Sequence, residues 1–265
     1  MKALVNKPGW GYMIILQNHD VIVKSVYELV EIYKMLGGAN DVQISPELGR
    51  LDRKMKWDAR NLKLFRDEEN ITKDVLDTLM KFAKGSVSGS LSRAAVEWMV
   101  TTVDMSTCIN QMNKAPFGKD EQFIQSFQVG DFLGMPGHFT DECLKQKKDT
   151  DFVSRMAKWK FNDKCATNVS RHHVCLLGIE EFRTVAQYPN IMFNKMMPDF
   201  DYSIMECTGE LIFNRTYRGQ IDKPLERNYY ENMVNVLYHK HKNDSDYKLN
   251  CTPKYEQWSV RKYPM

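Results

Sequence analysis

The sequence lacks any long hydrophobic run. The candidate nearest its start is Met13-Ile-Ile-Leu16, only four residues, whereas a membrane-spanning helix needs about 20 apolar residues. Lys2 is followed by Ala-Leu-Val, which is too short for the apolar core of a signal peptide. The sequence therefore shows neither an anchor nor a secretory signal.

Charge and cysteine spacing argue against two further classes of protein. The 37 basic and 34 acidic residues leave a net charge of +3, too balanced to indicate a nucleic-acid partner. The six cysteines form no CxxC pair, which argues against a zinc site or thioredoxin chemistry. No internal repeat or low-complexity tract is present.

Five N-x-S/T sequons and an even number of cysteines favour a secretory-pathway protein. The alternative is a cytosolic protein with scattered thiols. The candidate glycosylation sites are Asn70, Asn168, Asn214, Asn243 and Asn250.

Short apolar strands alternate with helical patterns along the chain. Residues 12–16 predict a buried strand, followed by polar residues at its end. Ser25-Val-Tyr-Glu28 is a capping box and predicts a helix that ends at Gly37-Gly38. This alternation indicates an α/β sheet, which places ligands at strand ends. Further predicted elements are helices after Ser92 and over 179–188 and 225–240, and a strand over 173–177.

Other stretches indicate how the elements are arranged. Residues 50–75 are polar and predict a surface loop, and 85–90 predict a flexible segment. We interpret residues 1–242 as one domain and 243–265 as a polar tail. The buried stripe of the first long helix is predicted to comprise Val26, Leu29, Val30, Tyr33 and Leu36.

The window Asp120–Phe127 (DEQFIQSF) predicts a helix entered from a Pro-Phe-Gly loop. Asp120 and Glu121 would lie in its first turn. Carboxylates suit a helix N-terminus electrostatically, but a carboxylate at such a position can also serve as a catalytic base. The helical pattern leaves both interpretations open.

Six segments, in order, resemble one family, the core-2/I-branching β-1,6-N-acetylglucosaminyltransferases with the related peptide xylosyltransferases. The segments are the strand, polar end and helix of residues 12–41, SGSLSRAAVEWM (88–99), GKDEQF (118–123), VSRMAKWKF (153–161), NVSRHHVCLLGIEEF (168–182) and NIMFNKMMPDFDYSIMEC (190–207).

The resemblance implies a GT-A-like catalytic domain of a type II Golgi membrane protein. Family members have a nucleotide-binding sheet region before the strand at residue 12. We therefore expect the domain to be incomplete at its N-terminus, and anchoring to depend on a segment absent from this chain.

The resemblance also implies an activity, transfer of N-acetylglucosamine from UDP-GlcNAc to a glycan hydroxyl with inversion. Glu121 falls on the family's catalytic glutamate, and Asp120 on a capping or orienting residue. Lys195 and Arg171 fall on the cations that bind the diphosphate in place of a metal, so no cofactor is expected. Counting back from Cys175 places His172 at the arginine position instead; Arg171 is preferred because it is a permanent cation.

Further residues are assigned roles only because they match positions of the family. Trp159 matches an aromatic residue that stacks on the acceptor sugar, with a core tryptophan as the alternative, and Phe161 replaces a family tyrosine. Cys165 and Cys175 match a disulfide, and Cys207 matches a cysteine whose partner lies upstream. No partner is assigned to Cys108, Cys143 or Cys251.

Three alternatives remain. A metal site could use one of three Asp-x-Asp pairs, the protein could be an inactive glycan- or protein-binding relative, or the donor could be UDP-xylose. The basic residues Arg50, Arg53 and Lys54 have no assigned role. The Asp-x-Asp pairs are Asp149/Asp151, Asp199/Asp201 and Asp244/Asp246.

Overall fold

The computed structural model describes residues 1–47, 49–148, 150, 152–161 and 164–252. Helices and short strands alternate, so the predicted α/β class is confirmed, in agreement with a GT-A-like domain. The chain forms two compact units. The first contains the described residues within Met1–Ile15, Leu36–Asp151 and Met233–Pro253, and the second those within Leu16–Met35 and Phe152–Asn232.

The elements are short. Among the described residues, the α-helices are α1 Lys2–Val5, α2 Val26–Leu36, α3 Lys73–Asp77, α4 Arg93–Thr101, α5 Ser106–Met112, α6 Asp120–Gln128, α7 Glu142–Lys145, α8 Phe182–Gln187, α9 Ser203–Tyr217, α10 Arg227–Glu231 and α11 Val234–His241. The strands are β1 Tyr12–Ile15, β2 Val21–Ile22, β3 Ser45–Pro46, β4 Ala83–Lys84, β5 Gly89–Ser92, β6 Arg155–Ala157, β7 Ser170–Arg171, β8 Val174–Cys175 and β9 Met192–Asn194.

In the first unit, β1 pairs antiparallel with β5 and β3 with β4. The predicted strand at residue 12 is thus confirmed, although its residues are half-buried rather than buried. Residues 85–90 were predicted to be flexible, but Gly89 begins β5, whose four residues are all buried. Small side chains there fit a buried strand. Ser92 ends the strand and caps α4, accepting the Ala95 N–H at 3.3 Å.

Residues 50–75 are predicted to form a surface loop, but this prediction is wrong because apolar side chains of the segment are buried. Trp57, Leu62 and Leu64 are buried in the main core of the first unit, together with Leu91 and Phe127. The backbone is largely irregular, so this segment has no periodicity that would reveal burial. Its hydrophobic side chains nevertheless contribute to the core as those of a helix would.

The C-terminal part of the first unit is covalently tied to its body. Cys143 and Cys251 form a disulfide, a pairing that sequence analysis did not assign. The bond lies in a second apolar cluster that includes Ile44, Phe139 and Val234. The described part of the predicted polar tail is therefore anchored.

The second unit contains a three-stranded sheet in the order β2-β9-β6. β9 is antiparallel to β2 and parallel to β6. Its core packs Val23, Leu177 and Phe193 with neighbouring apolar residues. The expected Cys165–Cys175 disulfide is present and closes the β7–β8 hairpin. The strand predicted over 173–177 is shortened to β8.

The capping box that begins α2 is confirmed. Ser25 N–H donates to Glu28 Oε2 at 2.7 Å, and Glu28 N–H donates to Ser25 Oγ at 3.2 Å. The predicted buried stripe is only partly right. Val26 and Val30 are exposed and Leu36 is buried, and the other buried side chains of the helix are Ile32 and Met35.

Two helical predictions need correction near the C-terminus. The helix predicted over 225–240 is broken at residues 232–233 into α10 and α11. The fifteen-residue α9 was missed because its apolar side chains do not form one stripe: Phe213 and Tyr217 are exposed, whereas Arg215 is buried. The helix predicted over 179–188 is confirmed as a 3₁₀ turn, Ile179–Glu181, followed by α8.

Candidate functional site

The helix that carries Glu121 begins where predicted. Gly118, with φ of +61°, turns the chain into α6, and Asp120 and Glu121 occupy the first turn. The Glu121 carbonyl accepts the Gly85 N–H at 2.8 Å, and Phe127 anchors the helix in the core. Asp120 is exposed in the same turn, where its charge suits the helix dipole.

Glu121 forms an ion pair that sequence analysis did not identify. Arg50 Nη1 donates to Glu121 Oε2 at 2.7 Å, and the two side chains are 16% and 43% exposed. The Arg50 guanidinium also lies 4.5 Å from the centre of the Phe117 ring. The pair joins residues 71 positions apart, so no local pattern could have revealed it. The carboxylate is oriented by Arg50 and remains accessible to solvent.

Gly118 makes this close approach possible. A Cβ atom at this position would lie 1.9 Å from Arg50 Nη1 and 3.0 Å from Glu121 Oε2. The positive φ is also a conformation that glycine adopts without strain. Glycine therefore serves both the turn and the ion pair.

In the second unit, polar residues gather at the ends of β2, β6 and β9. Asp20 is fully buried and lies 3.1 Å from the Arg155 guanidinium, which is 12% exposed. Arg155 Nη1 also donates to Gln17 Oε1 at 3.0 Å. Lys195 follows β9 directly, and its carbonyl accepts the Leu177 N–H at 2.9 Å.

The predicted cations Arg171 and Lys195 lie in one electropositive cluster. Burial lowers the pKa of the Lys195 ammonium, and the charges of Arg171 and Arg155 lower it further. Asp20 opposes this shift only in part. Because like charges raise the free energy of the charged ammonium, this cluster favours an anionic ligand. His172, the other candidate, is an exposed residue with φ of +52° in the turn after β7.

Trp159 lies beside the disulfide-closed hairpin. It forms a β-bridge with Val174, and 44% of its surface is exposed. The more exposed Phe161 ring contacts the His173 ring at 4.7 Å between centres. An exposed indole can offer its face to a pyranose, so Trp159 is not an ordinary core tryptophan.

The predicted site residues therefore form two groups. Glu121, with its unpredicted partner Arg50, belongs to the first unit. The second unit holds Arg171 and Lys195, whose charges interact, and also Trp159.

Comparison with known proteins gives the same family as the six sequence segments. The profile of the family described as Core-2/I-Branching enzyme matches residues 1–186. The chain belongs to the Core-2/I-Branching enzyme family. The resemblance proposed from the sequence is thus confirmed.

Curated relatives are named as β-1,6-N-acetylglucosaminyltransferases. The chain is 26% identical, over 78% of its length and 50% of the relative's, to β-1,3-galactosyl-O-glycosyl-glycoprotein β-1,6-N-acetylglucosaminyltransferase 4 of Danio rerio. It is 22% identical to the human enzyme numbered 3, over 79% of this chain and 49% of that one. A Bovine herpesvirus 4 enzyme of the same type (strain LVR140) is 21% identical, over 82% and 50%. The chain spans about half the length of these relatives.

The alternative metal pairs of this Core-2/I-Branching chain have other partners where they are described. Asp201 accepts the N–H groups of Ile179 and Ser203 at 2.7 and 2.8 Å. Asp244 accepts the Asp246 N–H at 3.0 Å. The pair Asp149/Asp151 lies outside the described residues. Within the described part of the chain, no three His, Cys, Asp or Glu side chains are grouped to hold a metal ion.

The asparagines of the five sequons differ in their exposure to solvent. Asn70, Asn168, Asn243 and Asn250 are exposed, whereas Asn214 is half-buried within α9.

Within the described residues, Cys108 and Cys207 are the free thiols. None of the helices in the described ranges combines the length and apolarity required to cross a membrane.

Proposed function

We propose that this protein is an inverting glycosyltransferase that moves N-acetylglucosamine from UDP-GlcNAc to a hydroxyl of a glycan acceptor. The observation that carries the proposal is the electropositive cluster around Lys195, combined with membership of the Core-2/I-Branching enzyme family. Three neighbouring cations, Lys195, Arg171 and Arg155, with Asp20 as a partly compensating carboxylate favour a multiply charged anion such as a nucleotide diphosphate.

The proposed reaction is a single displacement. The acceptor oxygen attacks C1 of the donor sugar while Glu121 accepts the hydroxyl proton. The C1–oxygen bond to the diphosphate breaks, and UDP departs with the electron pair. Arg171 and Lys195 offset the charge that develops on the diphosphate, the task that a metal ion performs in other transferases. The reaction is therefore proposed to need no metal.

The ion pair with Arg50 suits Glu121 to this role. Arg50 fixes one carboxylate oxygen and so orients the other, while the exposure of the side chain leaves room for an acceptor. Trp159 is proposed to contact the acceptor sugar through its exposed face. The sequons and two disulfides support a lumenal location, for which we propose the Golgi.

Release of UDP from UDP-GlcNAc, in EDTA and with a panel of glycan acceptors, tests the reaction. Glu121→Gln is expected to lower kcat by about 10²–10⁴-fold, as loss of a general base does. Glu142→Gln, the same change at an exposed glutamate in the first turn of α7, is the matched control and is expected to retain activity. Activity that requires added divalent metal, or survives in the Gln variant, would refute the mechanism.

A measurement of UDP binding tests the proposed anion site independently of catalysis. Arg171→Ala and Lys195→Ala are each expected to weaken UDP binding about ten-fold or more, since each removes a charge-assisted contact. His172→Ala tests the other alignment, and the exposed Lys164→Ala serves as control. If UDP-xylose replaces UDP-GlcNAc as the better donor, the donor assignment is wrong. Glycan binding without turnover would instead favour the non-enzymatic relative.

A further inference from the structure

A pocket in the first unit adjoins the candidate base. It has a volume of about 460 Å³ and opens between α5 and α6. This volume falls within the range of about 300–1,000 Å³ that is usual for small-molecule sites. Its lining residues are Ile109, Met112, Asn113, Gly118, Lys119, Asp120 and Phe123.

Apolar side chains form a wall of the pocket, and polar residues also line it. Ile109 and Met112 come from α5 and Phe123 from α6. Ile109 is 40% exposed, so apolar surface faces the open space. The Phe123 ring is held by an edge contact with Phe127, 5.3 Å between ring centres. This wall is therefore preformed by two helices that are fixed in the core.

Gly118 connects the pocket to the candidate base. It lines the pocket, and a Cβ atom built on it would lie 3.0 Å from Glu121 Oε2. Gly118 therefore borders both the pocket and the Arg50–Glu121 ion pair. Asp120 and Phe123, which flank Glu121 in α6, also line the pocket.

We propose that this pocket binds an apolar aglycone of the acceptor, the group attached to the sugar whose hydroxyl Glu121 deprotonates. The inference rests on the proposed function and narrows its acceptor class to glycosides with an aromatic or aliphatic aglycone. Contact between such a group and Ile109 or Phe123 removes apolar surface from water on both sides. Asn113 and Lys119, which also line the pocket, can bind polar atoms near the glycosidic linkage.

The test compares phenyl and methyl β-galactosides, which differ only in the aglycone. Binding is measured by calorimetry or ligand-observed NMR, and turnover by UDP release. The wild-type chain is expected to bind the phenyl glycoside about ten-fold more tightly than the methyl glycoside. This ratio corresponds to about 1.4 kcal/mol of binding free energy, which burial of the phenyl group's apolar surface would supply. Ile109→Gln is expected to abolish this preference, and Ile109→Leu to retain it. Leu79→Gln, an exposed apolar position elsewhere in the same unit, is the matched control.

The outcomes separate this inference from the proposed function. Equal binding of the two glycosides by the wild type, or a preference that persists in Ile109→Gln, would overturn the aglycone site even if UDP is released. A phenyl preference that depends on Ile109, without any turnover, would support the pocket and count against the transferase activity.

Discussion

Removal of the Cys143–Cys251 disulfide is expected to cost more stability than removal of Cys165–Cys175. The first bond spans 108 residues and the second 10. With the loop-entropy relation, closing these loops in the unfolded chain is worth about 4.8 and about 2.7 kcal/mol respectively. The difference of about 2 kcal/mol arises only from loop length. Both cysteine pairs are buried, so losses of packing partly cancel in the comparison.

Urea unfolding of the double alanine variants measures these costs under non-reducing conditions. Tryptophan fluorescence follows the first unit through the buried Trp57 and Trp98 and the second unit through Trp159, and circular dichroism follows the whole chain. A loss below about 2.7 kcal/mol for Cys143→Ala/Cys251→Ala would refute the reasoning. It would mean that the cysteines lie close together in the unfolded state, or that the segment ending at Cys251 adds little to the fold.

Three further predictions concern stability. Burial lowers the pKa of Lys24 to about 8 from its usual 10.5, so the unfolded chain binds more protons in this window. The free energy of unfolding therefore rises with pH between these values, by up to about 3 kcal/mol. Lys24→Met should remove the rise in pH-dependent urea titrations, whereas the exposed Lys34→Met should keep it. Ser25→Ala should lower the free energy of unfolding by about 1 kcal/mol because the α2 cap is lost. Val26→Ala, at an exposed position, should leave that free energy unchanged. Equal effects of the two substitutions would contradict the cap assignment. Leu64→Ala should cost about 2–5 kcal/mol in the same unfolding assay, and a cost near zero would restore the surface-loop interpretation.

Sequence reasoning succeeded where short-range chemistry decides the structure. The capping box at Ser25, the serine cap at residue 92 and the entry into α6 depend on residues within one turn of each other. Such contacts form from the same few residues in any fold. The family resemblance supplied the Cys165–Cys175 pair, which is confirmed, whereas the role of Arg171 and Lys195 as diphosphate-binding cations stays a prediction.

Long-range contacts could not be predicted. Arg50 meets Glu121 across 71 residues and Cys143 meets Cys251 across 108. Leu62 and Leu64 lie in irregular backbone, so their burial depends on tertiary packing rather than on periodicity. The missed α9 has a buried arginine, paired with Glu28 and Asp222, where an apolar stripe would be expected.

The Cys143–Cys251 bond has a consequence for modification of the chain during its synthesis. Cys251 is the middle residue of the sequon Asn250-Cys-Thr252, and Thr252 N–H donates to Asn250 Oδ1 at 2.9 Å in the folded protein. Attachment of a glycan requires this tripeptide to enter the active site of an enzyme, whereas the disulfide fixes its central residue. In the lumenal location proposed above, oxidation and glycosylation would therefore compete for the same three residues, and the reaction that occurs first would determine which form of the protein results.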